Sequence, residues 1–388
     1  MNALNPVRQK RTLRSIWSSL ASLAGAGAML AVAASPVHAE IDFFTTIPGA
    51  TSTNSPSEAI CVASGGAGQN YDVVTVTVWP ANDASQTLWF STNHTTYNAQ
   101  FGIIRVKQEN ARQVPFATTL APAAITVVNK QFLIAHQGED HNIYYDTAAC
   151  PTNDSQSVSF AGNWKQIPGA VQSGNAVPNL TVRPGLAAST NGQYIMVATS
   201  FSDNTIRYTQ AFVNGTPNWT NVWKVAPGNG TTTSGIGVTN RIGNSADQVS
   251  FEVFHRGTNS ELFYNSYNAN TDQWGNNGNW TADGVLNTLA SGPSVASFSG
   301  GTLGFSKPGF IVFGERADHT LLAETLGMDL SLIQRWTLVP IPSPTSHAPS
   351  VAVSNDGFYV GASYTADSHQ IYRMLQTNNA SVLIPLPQ

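Results

Sequence analysis

The side chains that could do chemistry gather in short phrases around chain turns. His255-Arg256-Gly257-Thr258-Asn259-Ser260-Glu261-Leu262-Phe263 is the fullest of them. An arginine at the end of a strand offers a planar fork that can grip hydroxyls or a carboxylate. The plainer reading pairs Arg256 with an acid of its own turn, such as Glu261, and Arg316 with Asp318. His136, His255, His319 and His369 lie near similar turns without metal-ligand spacing, so neutral imidazoles are expected. Asp140, Asp203, Asn259, Asp318 and Asp367 share a turn position where a short polar side chain caps backbone N–H groups.

Tryptophans form the second set. Trp164, Trp219, Trp280 and Trp336 each follow a strand, and the first three are preceded by Asn. An exposed indole stacks on a flat C–H face; a buried one wedges neighbouring sheets apart. Recurrence at one position favours the wedge. Trp223 and Trp274 fall outside that position and are the better candidates for exposed platforms.

These residues must be positioned by something periodic. A strand, a polar turn and a second strand recur roughly every 50–60 residues, a period typical of propellers. The later strands begin at Leu88-Trp89, Ile143-Tyr144, Ile206-Arg207, Leu262-Phe263, Leu321-Leu322 and Ile371-Tyr372. First strands are small-residue strands, as in Gly185-Leu186-Ala187-Ala188, which suits a crowded central channel. Middle strands are β-branched and aromatic, as packed strands should be. No sustained 3.6-residue apolar period appears beyond the N-terminal leader. The expected fold is all-β, a single β-propeller of six four-stranded blades, or seven if the early residues hide a further degenerate one. Phe43 to Ile47 reads as a spare edge strand that pairs with the last unit and closes the ring.

Residues 1–39 read as an export signal: a basic start (Arg8, Lys10, Arg11, Arg14), an apolar run, then Val37-His38-Ala39. The propeller domain then spans 40–388. Four of the 18 Lys and Arg lie in that leader and none of the 22 acids, which leaves the rest at a formal charge of −8. A sparse, acidic surface argues against nucleic acid and anionic membranes as partners. No other stretch approaches a membrane-spanning length. The expected location is secreted or periplasmic. There the two cysteines, Cys61 and Cys150, can form a disulfide, with two buried free thiols as the alternative. No cofactor is implied. No loop has the oxygen-ligand density that calcium needs.

The phrase at His255–Phe263 resembles the "F-x-R-G-x-D-x-x-L-W" phrase of β-propeller lectins, the tectonin-type and fucose-binding families. Glu315-Arg316-Ala317-Asp318-His319-Thr320-Leu321 and His136-Gln137-Gly138-Glu139-Asp140-His141-Asn142-Ile143 are weaker copies. The resemblance implies an exported, non-catalytic carbohydrate-binding propeller, with shallow sugar pockets between blades. His255, Arg256, Trp274 and Trp280 are the first candidate site, and Glu315, Arg316 and Trp336 the second. The alternative is a sialidase-like or other propeller glycosidase. It would bring Arg183, Arg241, Arg256 and Arg316 together, with Tyr264 or Tyr267 near Glu252 or Glu261. A third reading is a scaffold for protein–protein contacts.

Overall fold

The computed structural model describes residues 44–63, 71–83, 85–98, 102–119, 121–171, 176–179, 181–243, 247–285, 288–300, 305–354 and 357–376. Residues 1–39, expected to be an export signal, Phe43 of the expected closing strand and the residues from 377 lie outside them. The described residues build six antiparallel sheets, and two three-residue 3-10 turns are their helical content. We number the blades in chain order. Their third strands are Thr87–Asn98, Ile143–Ala149, Ile206–Asn214, Leu262–Asn268, Leu321–Gly327 and Gln370–Gln376, within one residue of the expected starts.

The ring closes as the sequence suggests. Strand Thr45–Thr51 is the outer strand of blade 6, with Thr46 opposite Tyr372. An early strand and a late one therefore share one sheet, and Thr45–Thr51 covers the outer side of Gln370–Gln376 as the fourth strand of blade 6.

Small inner strands follow from crowding. A Cβ placed on Gly185 would lie 2.5 Å from Val238 Cγ2 and 2.7 Å from the Ile236 carbonyl oxygen. The inner strand of each sheet also has N–H groups without a ladder partner, and these need acceptors. Serines supply them. Ile125 N–H donates to Ser57 Oγ, Val351 N–H to Ser294 Oγ and Glu58 N–H to Ser350 Oγ, each bond crossing from one blade to its neighbour. At one mouth of the channel Arg183 is buried and donates to the carbonyls of Pro56 and Pro349, 3.0 and 3.1 Å away. It is a strut from the linker before blade 3 to the linkers before blades 1 and 6. Burial lowers its pKa only to about 10, so it keeps its charge.

The cysteines are bonded. Cys61 in the inner strand of blade 1 meets Cys150 at the end of blade 2's third strand, with 6.3 Å between their Cα atoms. Both lie in the apolar layer shared by blades 1 and 2.

The turns obey local chemistry. Asp140, Asp203, Asn259 and Asp318 accept the backbone N–H two residues on, at 3.0–3.3 Å. The next residue, His141, Asn204, Ser260 or His319, is left-handed. Asp367 departs from the expected position. His369 is the left-handed residue of its turn, so Ser368 holds the capping place, and Asp367 instead accepts from His319 Nδ1 of blade 5 at 3.0 Å.

Candidate functional site between blades

The tryptophans define how blades lock together. Trp164 donates its indole N–H to the Pro115 carbonyl, Trp223 to that of Pro168, and Trp280 to that of Pro227. Each bond reaches back to the preceding blade. Trp336 makes the equivalent reach to the Asp283 carboxylate, 2.9 Å away. Strand register confirms the equivalence. Trp164, Trp223 and Trp280 each stand two residues before the one paired with Tyr144, Arg207 or Phe263.

This corrects two expectations. The repeated tryptophan of blade 3 is Trp223, buried at 7 % exposure, and not Trp219. Trp274 is half-buried in the core between blades 3 and 4, its ring 5.2 Å from that of Tyr208 and 5.3 Å from that of Tyr267. Neither Trp223 nor Trp274 is an exposed platform. The Asn-Trp dipeptide falls at Trp219 because blade 3 carries an extra hairpin, Thr216–Trp219, ahead of the true position.

Between blades 3 and 4 the repeat opens into a cavity of about 260 Å³. Trp280, Phe263 and His255 wall it, and Asn229, Thr258 and Asn259 rim it. His255 is 3 % exposed, stacked on Phe263 at 5.4 Å and edge-on to Trp280 at 4.5 Å. Neither ring nitrogen has a hydrogen-bond partner. Burial pushes its pKa down to about 4, so the imidazole is neutral at physiological pH. Gly257 is required beneath it: a Cβ there would lie 2.4 Å from the Phe263 ring.

Blade 2 repeats the arrangement. His136 stacks on Tyr144 at 5.9 Å and meets Trp164 edge-on at 4.3 Å. Its Nδ1 is buried without a partner, and burial lowers its pKa to about 4 as well. Gly138 takes the part of Gly257, its missing Cβ 3.0 Å from the Tyr144 ring. The sequence carries this signal as His and an aromatic eight residues apart, His136–Tyr144 and His255–Phe263.

The other predicted site residues are placed as follows. Arg256 donates to the Leu289 carbonyl, Ser234 and Ser260, which ties the linker to its turn. Glu315 is buried, and that burial raises its pKa. Arg316 is exposed and lies 3.4 Å from Asp318. Trp336 packs against the position of Gly314, where Leu289 fills the space that His255 occupies one blade earlier. His255 and Trp280 therefore line one pocket, whereas at the matching place in blade 5 Trp336 and Leu289 pack against Gly314. The four arginines named for sialidase chemistry are engaged separately. Arg183 spans the channel mouth, and Arg241 binds Glu252 and the Met328 carbonyl. Arg256 and Arg316 hold their own turns.

No protein-family model and no curated protein matches the chain. Solved structures do. AofleA from Arthrobotrys oligospora aligns over 86 % of this chain and 85 % of its own, with TM-score 0.50 and 12 % identity. The fucose-specific lectin from Aleuria aurantia aligns over 85 % and 93 %, with TM-score 0.52 and 12 % identity. The likeness to propeller lectins is one of fold. The chain in the structure of NanB plus Optactamide aligns over 89 % of this chain and 69 % of its own, with TM-score 0.53 and 9 % identity. Differently named proteins thus share this architecture, and function must be argued from the site.

Proposed function

We propose that this protein is an exported, non-catalytic carbohydrate-binding propeller that holds a sugar in the pocket between blades 3 and 4. The observation that carries the reading is His255, buried beside a cavity with both ring nitrogens unpartnered. An unpaired buried polar group is costly unless a ligand satisfies it. A neutral imidazole offers one donor and one acceptor. Trp280 and Phe263 add flat apolar walls, and Asn229, Thr258 and Asn259 add neutral polar groups. Apolar faces bordered by uncharged donors and acceptors complement a pyranose, which has C–H faces and a hydroxyl edge. No residue lining the pocket carries a charge at neutral pH, which disfavours ionic ligands.

Hydrolysis of a glycosidic bond generally uses a carboxylate pair flanking it. This pocket is lined by no carboxylate. Export is supported by the leader-like residues 1–39 and by the Cys61–Cys150 disulfide. Among the described residues no helix is long and apolar enough to cross a membrane.

A glycan array probed with the purified protein tests the reading, alongside a panel of chromogenic glycosides. Binding without turnover is expected. An empty array, or release of the chromophore, would overturn it.

A further inference from the structure

The outer strands repeat a second pattern, in which a proline is followed by a residue with a left-handed backbone. Pro48-Gly49, Pro168-Gly169 and Pro227-Gly228 have φ of 72°, 78° and 72° at the glycine. Glycine belongs there because a side chain is strained at such angles. In blade 1 the pair is Pro115-Phe116. Phe116 adopts φ 56° and is 88 % exposed, the most exposed large apolar side chain among the described residues. A bulky residue at positive φ is an outlier. Strain of this kind persists where function requires it. Here neither burial nor backbone preference accounts for the phenylalanine.

Its location supplies the reason. The equivalent Gly228 lines the pocket between blades 3 and 4. Phe116 therefore stands at the rim of the matching site between blades 1 and 2. The missing Cβ of Gly162 is 2.8 Å from both the Phe116 ring and Pro115 Cβ, just as that of Gly278 is 2.7 Å from Pro227 Cβ between blades 3 and 4. Two residues after Gly162 comes Trp164, bonded to the carbonyl of Pro115. Behind it lies His136, 5 % exposed, with Nδ1 unpartnered. Asp140, fixed by the Tyr144 hydroxyl at 2.7 Å, brings a negative charge to this site where the other has Asn259.

We infer that Phe116 is a specificity-determining platform, which makes the site between blades 1 and 2 a stacking site for a neutral pyranose, distinct from its twin between blades 3 and 4. The inference rests on the carbohydrate reading above. One apolar face of the sugar lies on the exposed ring, its hydroxyls face His136, and Asp140 repels acidic sugars.

Phe116→Gly restores the glycine that blades 2, 3 and 6 carry and gives a sharp test. The wild type, Phe116→Gly and His255→Phe are compared on an array of neutral and acidic monosaccharides, and by thermal melting. The expected result is that Phe116→Gly melts at the wild-type temperature or above, and binds the neutral sugars roughly tenfold more weakly at one site. His255→Phe retains that site. If Phe116→Gly binds as the wild type does, the inference falls and the carbohydrate reading stands. If the variant melts lower, Phe116 is structural and the inference falls. If the wild type binds nothing, both fall together.

Discussion

Blades 4 and 5 are built on one plan and use the same place differently. Both carry an outer-strand tryptophan that reaches back to the preceding blade, Trp280 to the Pro227 carbonyl and Trp336 to the Asp283 carboxylate. In blade 4 the residue inside that indole is His255, and a cavity remains. In blade 5 it is Gly314, and Leu289 fills the space. Blades 2 and 3 differ in a similar way. Blade 2 has His136 and Tyr144 beside Trp164, whereas blade 3 has Arg207, which pairs with Asp203 and lies over Phe201. The lesson is that the tryptophan belongs to the architecture. The histidine and its stacked aromatic make the pocket.

Substitutions can break that comparison. The largest effect is expected from Trp223→Ala, which leaves a buried void between blades 2 and 3 and should cost about 3–5 kcal/mol in urea unfolding. Trp280→Ala should cost less, about 2–3 kcal/mol, because the ring is half-buried. It should abolish binding between blades 3 and 4, while Trp223→Ala leaves binding unchanged in whatever fraction stays folded. Leu289→Ala should cost about 2–4 kcal/mol and open a cavity beside Trp336. With no histidine there, that cavity should bind no sugar on the array.

A pH series sharpens the contrast between ring nitrogens and buried acids. Burial raises Glu58 to about 8, Glu252 to about 7 and Glu324 to about 8, with the nearby Asp283 charge also raising Glu324. In the folded state these groups hold protons that the unfolded chain has already released. Their contribution to stability is therefore present at low pH and lost as pH rises through the folded values. His136 and His255 act in the opposite sense: both stay neutral when folded down to about 4, so they cost stability only below the unfolded histidine range. The acids' contribution should start to fall above the ordinary carboxylate range, by about 1 kcal/mol per pH unit for each acid, and should fade as each folded value is passed, so that the net fall is steepest near pH 7, where the opposing histidine effect has ended. Glu324→Gln should flatten that fall in urea titrations at several pH values, and an unchanged slope would contradict the assignment. Sugar binding itself should be flat from pH 5 to 8. The smallest stability change is expected from His255→Phe, within about 1 kcal/mol of wild type since the histidine makes no hydrogen bond to lose, yet it should end binding at that pocket.

The architecture was legible in the sequence because each blade restates it. The starts of the third strands, the small inner strands and the closing role of Thr45–Thr51 all follow from repetition and edge chemistry. The site was only partly legible. His255 and Trp280 were singled out, and they do share a cavity. Falling outside the repeated position makes Trp223 and Trp274 better candidates for exposed platforms, but burial depends on which strand faces them, and the extra hairpin at Thr216–Trp219 shifts the count. Glu315 and Arg316 stood beside a lectin-like phrase, yet Leu289 packs from a linker far from that phrase and fills the space. Phe116 was missed because no strand pattern announces a left-handed backbone; lining up the Pro-Gly pairs would have exposed it.

The number of sugar molecules bound per chain, measured by calorimetry with a glycan that the array identifies, tests the central claim most directly. The pocket at His255 and the site inferred at His136 predict two. Four, one for each locking tryptophan, would show that the indole alone makes the site, and none would contradict the account entirely.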